Sequence, residues 1–395
     1  MSEVFIVDCL RTPVGKAPRG VFKNKLPDDL FGCVVKALKQ KHAGIDWATT
    51  QDVIVGCAMP EAEQGMNVAR IASLLAGLPV SVPAMTINRF CSSGVQTIAT
   101  ASQSLATAKG PAVSLAGGLE SMSRVPMGGN KFTVNPAVFS DEHVSIAYGM
   151  GITAEMVAEK YGVTREQQDT FAVTSHERAV KALEQGCFQH EIVPVEVTQR
   201  GANLNSGEVQ ETTKTIGHDE GPRKDTSLDV IAKLRPVFSL KGTVTAGNTS
   251  QMSDGAGVAL LANEEAIEAF GLTPRAKLLS FAVAGVEPEY MGIGPVKAIP
   301  KALSDAGLSL QDIDWIELNE AFAAQSLAVI ETLDLPRDKV NPCGGAIALG
   351  HPLGATGAIR TATLLHGLER TGGRYGMVTM CIGTGMGAAA IFERI

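Results

Sequence analysis

Apolar residues along the chain fall into short runs closed by glycine, alternating with stretches in which apolar positions recur every three or four residues. Short continuous runs read as buried strands, and the longer period reads as helix. Strands are expected at 4–7, 52–55, 112–115, 258–261, 315–318, 377–380 and 388–392. Helices follow the glycine turns: over 92–108, Val95, Ile98, Ala99, Leu105 and Ala106 share a face, and 354–368 repeats the plan with Ala358, Thr361, Ala362 and Leu365. This alternation predicts an α/β protein whose helices cover a mainly parallel sheet.

The two ends of the chain echo each other. Asp52-Val53-Ile54-Val55-Gly56 precedes a glycine turn and helix, then Val113 to Gly118; Asp314 to Asn319 precedes a second turn and helix, then Val378 to Gly383. The order predicts a duplicated strand, turn, helix and strand unit. Between the copies the pattern becomes polar. Helices are expected there at 153–161 and 164–185, the second opened by a capping box of Thr164 and Gln167, whereas 201–225 has no periodicity. The expected division is therefore a first α/β half at 1–119 and 242–268, an inserted loop domain at 120–241 that grips a ligand, and a second half at 269–395.

Composition narrows the classes. At 395 residues and 45% hydrophobic, the chain can bury a large core. A net charge of -7 argues against binding a phosphate backbone, and no apolar run reaches the ~20 residues that span a bilayer. Met1-Ser2-Glu3 leads directly into an apolar strand with no basic region ahead, so the folded part is expected to begin at once. Seven cysteines without regular spacing indicate reduced thiols in a cytoplasmic setting, with neither a disulfide framework nor a metal site.

Three glycine turns carry candidate chemistry. Cys91 lies in Asn88-Arg89-Phe90-Cys91-Ser92-Ser93-Gly94 at the start of a helix, where the helix dipole favours a thiolate; in isolation it reads equally as a small core residue. His351, between Gly350 and Pro352, is either a packed imidazole or the activator of a cysteine nucleophile. Cys381, in Cys-Ile-Gly-Thr-Gly-Met-Gly, fills a tight turn or moves protons at carbon, while the N–H of Gly383 offers an oxyanion donor. Asn319 and Glu320 follow an apolar strand, where α/β proteins place ligands, and Asn319 is alternatively a helix N-cap. The other histidines, His42, His143, His176, His190, His218 and His366, read as surface residues.

Together these segments resemble the thiolases, the acetyl-CoA acetyltransferases and 3-ketoacyl-CoA acyltransferases. The resemblance spans nearly the whole chain and is carried by Asn88 to Gly94, Gly117-Gly118-Leu119-Glu120-Ser121-Met122-Ser123, Thr245-Ala246-Gly247-Asn248, Asn319 to Gln325, Gly344 to Gly357 and Cys381 to Gly387. It implies two α/β halves in five αβαβα layers with an inserted loop domain, and a homodimer or homotetramer. It also implies a ping-pong reaction in which Cys91 attacks the 3-keto carbon of a 3-ketoacyl-CoA, His351 activates the sulfur and Cys381 protonates the departing acetyl-CoA enolate. Coenzyme A then enters as a substrate, with no tightly bound cofactor. One oxyanion site comprises His351 and a water held by Asn319, the other the N–H groups of Cys91 and Gly383. By the same resemblance Arg223 lies near the CoA adenine and phosphates, and Ser250, beside the Ala246 segment, contacts pantetheine. Met150 and Met291 line the acyl pocket, and Ala321 and Phe322 flank the pantetheine arm.

Two positions depart from the family pattern. Gly149 stands where acetoacetyl-specific members commonly carry histidine, and Cys343 where asparagine is more usual. The smaller residue leaves room for longer acyl chains, which favours a degradative 3-ketoacyl-CoA thiolase over a biosynthetic acetoacetyl-CoA thiolase. The other readings are a 3-oxoadipyl-CoA enzyme and a non-catalytic acyl-CoA-binding relative.

Overall fold

Each predicted strand forms, and the strands flank two helices that meet at the centre of the molecule. The computed structural model describes residues 2–203 and 206–395. The first half contributes β1 (Val4–Arg11), the short β2 (Gly15–Lys16), β3 (Thr50–Gly56), β4 (Ala84–Ile87) and β5 (Val113–Ser121). Beyond β5 the chain leaves the sheet, forms a hairpin of β6 (Val195–Ala202) and β7 (Val209–Ile216), and returns as β8 (Ser253–Asn263). The second half adds β9 (Ala276–Gly285), β10 (Trp315–Leu318), β11 (Tyr375–Ile382) and β12 (Met386–Arg394).

The helices are α1 (Pro27–Lys41), α2 (Val68–Leu75), α3 (Ser93–Leu105), α4 (Met150–Tyr161), α5 (Arg165–Glu184), α6 (Leu228–Ile231), α7 (Glu264–Phe270), α8 (Gly294–Ala306), α9 (Ala323–Leu333), α10 (Ala346–Leu349) and α11 (Leu353–Thr371). Gln167 and Thr164 form the expected capping box at the start of α5.

The main sheet runs β10-β11-β12-β9-β1-β8-β5-β3-β4, with β2 on β8. Outward from the β1–β9 seam, β8, β5 and β3 on one side answer to β12, β11 and β10 on the other, which is the expected duplication. Helices α3 and α11 pack on each other between the two sets of strands, α1 covers the outer face of the first and α8 that of the second. The result is five layers. Every residue of α11 from 353 to 368 is buried, so this helix is enclosed on all sides rather than lying on a surface.

The sheet is mixed rather than mainly parallel. Only β3–β4, β3–β5 and β10–β11 are parallel, and β1, β8, β9 and β12 pair antiparallel. Buried strands read as uniform apolar runs in either direction, so their sequence carries no sign of orientation. The β11–β12 pair is a hairpin closed by Gly383-Thr384-Gly385, with Thr384 at φ 65° and Gly385 at φ 87°. The stretch expected to lack regular structure at 201–225 also needs correction, because β6–β7 occupies its first part. Most of that hairpin is exposed on both faces, so cross-strand backbone bonds hold it without an alternating pattern.

Buried charges fasten the parts together. Arg11 pairs with Glu191 at 2.6 Å and Asp219 at 2.7 Å, both from the inserted segment, and Thr363 of α11 donates to the same Glu191 at 2.9 Å. Across the β1–β9 seam, Asp8 accepts from Arg275 at 2.7 Å and pairs with Lys41 and His42. Burial alone would raise the Asp8 carboxyl, but bonds from His42 and Lys41 and their neighbouring charges hold it well below the usual range. His42 is thus tied into the seam, and His176 and His366, expected at the surface, are buried: His176 accepts the Arg223 N–H at 3.2 Å, and His366 lies against Arg275.

The central contact is backbone to backbone. A Cβ on Gly118 of β5 would overlap the carbonyl oxygen of Gly354 in α11. Gly118→Ala is expected to lower stability by about 1–3 kcal/mol or more through forced separation of the two elements, read as a lower urea midpoint; an unchanged midpoint would refute the contact.

Candidate active site

The nucleophile turn is built by its own polar residues. After β4, Asn88 accepts the Phe90 N–H at 2.8 Å, and Ser93 accepts from the Arg89 N–H while donating to the Phe90 carbonyl. These bonds hold Phe90 at φ 44°, in the left-handed region that a bulky residue seldom enters. The kink turns Cys91 inward at the head of α3, where it is 3% exposed.

Cys91, His351, Cys381 and Gly383 line one cavity of about 1250 Å³. Burial pushes the Cys91 thiol up to about 12, although N–H donors of Gly383 and of Cys91 itself act in the opposite sense. Gly383 lies in the turn after β11 and shares the cavity wall with Cys91. Cys381 is fully buried on the penultimate residue of β11, its thiol pushed well up by burial and by the neighbouring Cys91.

His351 occupies the turn between α10 and α11. Its backbone N–H lies 3.1 Å from the Ser253 hydroxyl. Its Nδ1 is 2.6 Å from the hydroxyl of Thr356, which donates to the Pro352 carbonyl at 3.2 Å. With that proton committed, the hydroxyl accepts from Nδ1–H, so Nε2 carries the lone pair; the tautomer is assigned from this pattern. The Asn319 amide donates to Nε2 at 3.3 Å. Burial, then the charge of Arg360, lowers the imidazole to about 3. At neutral pH these groups therefore rest as a thiol and a neutral imidazole on one cavity wall.

Asn319 stands behind His351 rather than on the cavity wall, and its Oδ1 is buried without a hydrogen-bond partner among the described residues. It is not the helix N-cap: α9 begins at Ala323, and Phe322 is the cap, its N–H bonded to Gln325. Glu320 is also structural, binding Ser175, Asn341 and the Ile347 N–H.

The remaining expected residues also converge here. Arg223, Ser250, Ala246, Met150, Met291, Ala321 and Phe322 all line the cavity. Sequence reasoning missed Asn88, Thr356 and Phe238, the last meeting Phe322 edge-on at 6.2 Å. Thr356 follows His351 by five residues in the first turn of α11, and that spacing was its only signal.

Residues 4–265 match the thiolase N-terminal domain and residues 272–394 the thiolase C-terminal domain. The chain belongs to the thiolase family. Among its relatives, a 3-ketoacyl-CoA thiolase of Bacillus subtilis is 51% identical over 393 residues, covering 100% of both chains. A beta-ketoadipyl-CoA thiolase of Pseudomonas aeruginosa is 46% identical, covering 100% of this chain and 99% of the relative. The crystal structure of human mitochondrial 3-ketoacyl-CoA thiolase superposes with a TM-score of 0.88 at 40% identity, covering 100% of this chain and 99% of that one. The thiolase fold thus accounts for the duplicated layers, and the site lies where the two halves meet.

Thr356→Val is expected to lower kcat by about tenfold with little change in KM, part of the 10²–10⁴ that a positioned base contributes. Steady-state kinetics test this; an unchanged kcat would remove Thr356 from the orientation of His351.

Proposed function

We propose that this thiolase cleaves 3-ketoacyl-CoA with coenzyme A, giving acetyl-CoA and a shortened acyl-CoA through an acyl group carried on Cys91. The observation that carries this reading is the convergence of Cys91, His351, Cys381 and Gly383 on one cavity.

In this reading Nε2 of His351 takes the Cys91 proton as the sulfur bonds to the 3-keto carbon. The N–H groups of Cys91 and Gly383 hold the oxyanion, each such donor being worth about 3 kcal/mol of barrier. The C2–C3 bond then breaks. Its electron pair forms the acetyl-CoA enolate, which His351 and a water held by Asn319 stabilise and Cys381 protonates. Coenzyme A next gives its thiol proton to Cys381, attacks the acyl carbon and leaves as the shortened acyl-CoA, with the Cys91 thiol restored. Condensation is the reverse. Arg223 is assigned to the CoA phosphates, Ser250 and Ala246 to pantetheine along with Ala321 and Phe322, and Met150 and Met291 to the acyl chain.

The acyl arm is read as open to chains longer than acetyl. Gly149 has φ -62° and ψ 146°, accessible to any residue, and a Cβ there would meet nothing within 4 Å. The missing side chain therefore leaves space rather than serving the backbone.

The inserted segment, taken as 120–241, is the unit that closes over the mouth of the site. We read β4, a terminal strand of the sheet, as the homo-oligomer contact, a reading supported by exposed Leu75 and Val80 beside it. A cytoplasmic setting accords with seven unbridged cysteines. Among the described residues no helix is long and apolar enough to cross a membrane.

Cys91→Ser is expected to lower thiolysis by about 1,000-fold or more and to abolish labelling of this position by acetyl-CoA, read by mass spectrometry; full turnover would exclude Cys91 as nucleophile. Gly149→Phe is expected to lower the ratio of kcat/KM for 3-ketodecanoyl-CoA over acetoacetyl-CoA by about tenfold, in the range set by a few excluded methylenes. A ratio that stays constant would place the acyl chain elsewhere.

A further inference from the structure

Glu120 is fully buried and has no cationic partner within hydrogen-bond reach among the described residues. Four N–H donors converge on its two oxygens. Oε2 accepts from the backbone of Ala58 and of Gly354, both at 2.8 Å. Oε1 accepts from the Met59 backbone at 3.2 Å and the Gln64 side chain at 2.8 Å. A buried carboxylate without a counter-ion is expensive to maintain, and burial raises its pKa despite these bonds.

What this carboxylate joins explains its presence. Gly354 opens α11 three residues after His351. On the other side, the Ala58 carbonyl accepts from the Asn88 side chain at 3.0 Å, and Asn88 holds the Phe90 N–H at 2.8 Å, one residue before Cys91. One oxygen of Glu120 thus ties the turn of the base to the turn of the nucleophile, across the boundary between the two halves. The approach is close: a Cβ on Gly354 would lie 2.7 Å from the Cys57 Cα and 2.8 Å from Glu120 Oε2. The tie therefore fixes the distance between the turns.

We propose that Glu120 is a positioning residue for this reaction, setting the separation of His351 from Cys91 through its shared bonds to Gly354 and Ala58. The role rests on the assignment of Cys91 and His351 as nucleophile and base. Glutamine cannot replace it, because the amide NH₂ would face two of the four converging N–H groups in either orientation.

The test is a double-mutant cycle of Glu120→Gln and His351→Ala on kcat, with circular dichroism and thermal unfolding to count folded sites. Expected results are a loss of about 100-fold in kcat per folded site for Glu120→Gln, the scale of an approximately 1 Å misplacement, with KM changed less than threefold. The double variant should be no slower than His351→Ala alone, because a displaced base has nothing further to lose. Additive losses, or a per-site kcat within threefold of the native enzyme, would overturn the proposal. If Glu120→Gln does not fold, Glu120→Asp serves: its shorter arm should lower kcat by at least tenfold, and native turnover would overturn the proposal equally. Failure of the underlying assignment is distinguishable, since it would show as undiminished thiolysis in His351→Ala itself.

Discussion

The direct contact of backbone with backbone along α11 is the constraint on which the rest of this structure depends. Gly118 admits Gly354 on one flank, and Gly357 admits the start of α3 at Val95 on the other, so a helix of the second half sits inside the first without side chains between them. Dispersion and burial favour such contact, but only residues lacking a Cβ permit it. Since α3 begins next to Cys91 and α11 begins next to His351, the packing of two helix starts is also the placement of two reacting groups. Stability and chemistry share the same few atoms here.

Much of the fold was legible in the chain because burial and local turn chemistry leave marks on sequence. The strands at 4–7, 315–318 and 388–392 are apolar runs with no competing period, and Thr164 with Gln167 declared the start of α5. Strand direction was not legible. β8 is as uniformly buried as β5, and β12 is buried through its middle, so nothing in their residues distinguishes an antiparallel neighbour from a parallel one. The β6–β7 hairpin escaped for the opposite reason: most of its residues are polar and exposed, and backbone bonds hold it together.

The site divides similarly. Cys91, His351 and Cys381 stand in glycine turns whose irregularity is hard to explain by packing, so type and setting pointed to chemistry. Thr356 and Glu120 gave no such sign, since each is a polar residue within a buried element, and Glu120 binds mainly backbone and residues distant in sequence. Asn319 was found by its place after a strand, but its contact with His351 rather than with the cavity follows from the tertiary approach of β10 to the α10–α11 turn. Histidines 176 and 366 show the limit of judging exposure from neighbours, because their helices are buried by segments encoded elsewhere.

The strand order bears on how the chain emerges during synthesis. β8 lies between β1 and β5 and pairs with both, yet it ends at residue 263, whereas the other long strands of its half are complete by residue 121. At ~5–20 residues per second this leaves a wait on the order of ten seconds before the missing partner is made. Throughout that interval two apolar strand edges stand open on a nascent chain, and such edges readily recruit the wrong partner. Translation speed across the inserted segment, rather than any property of the finished fold, therefore sets how long this protein is exposed to misassembly.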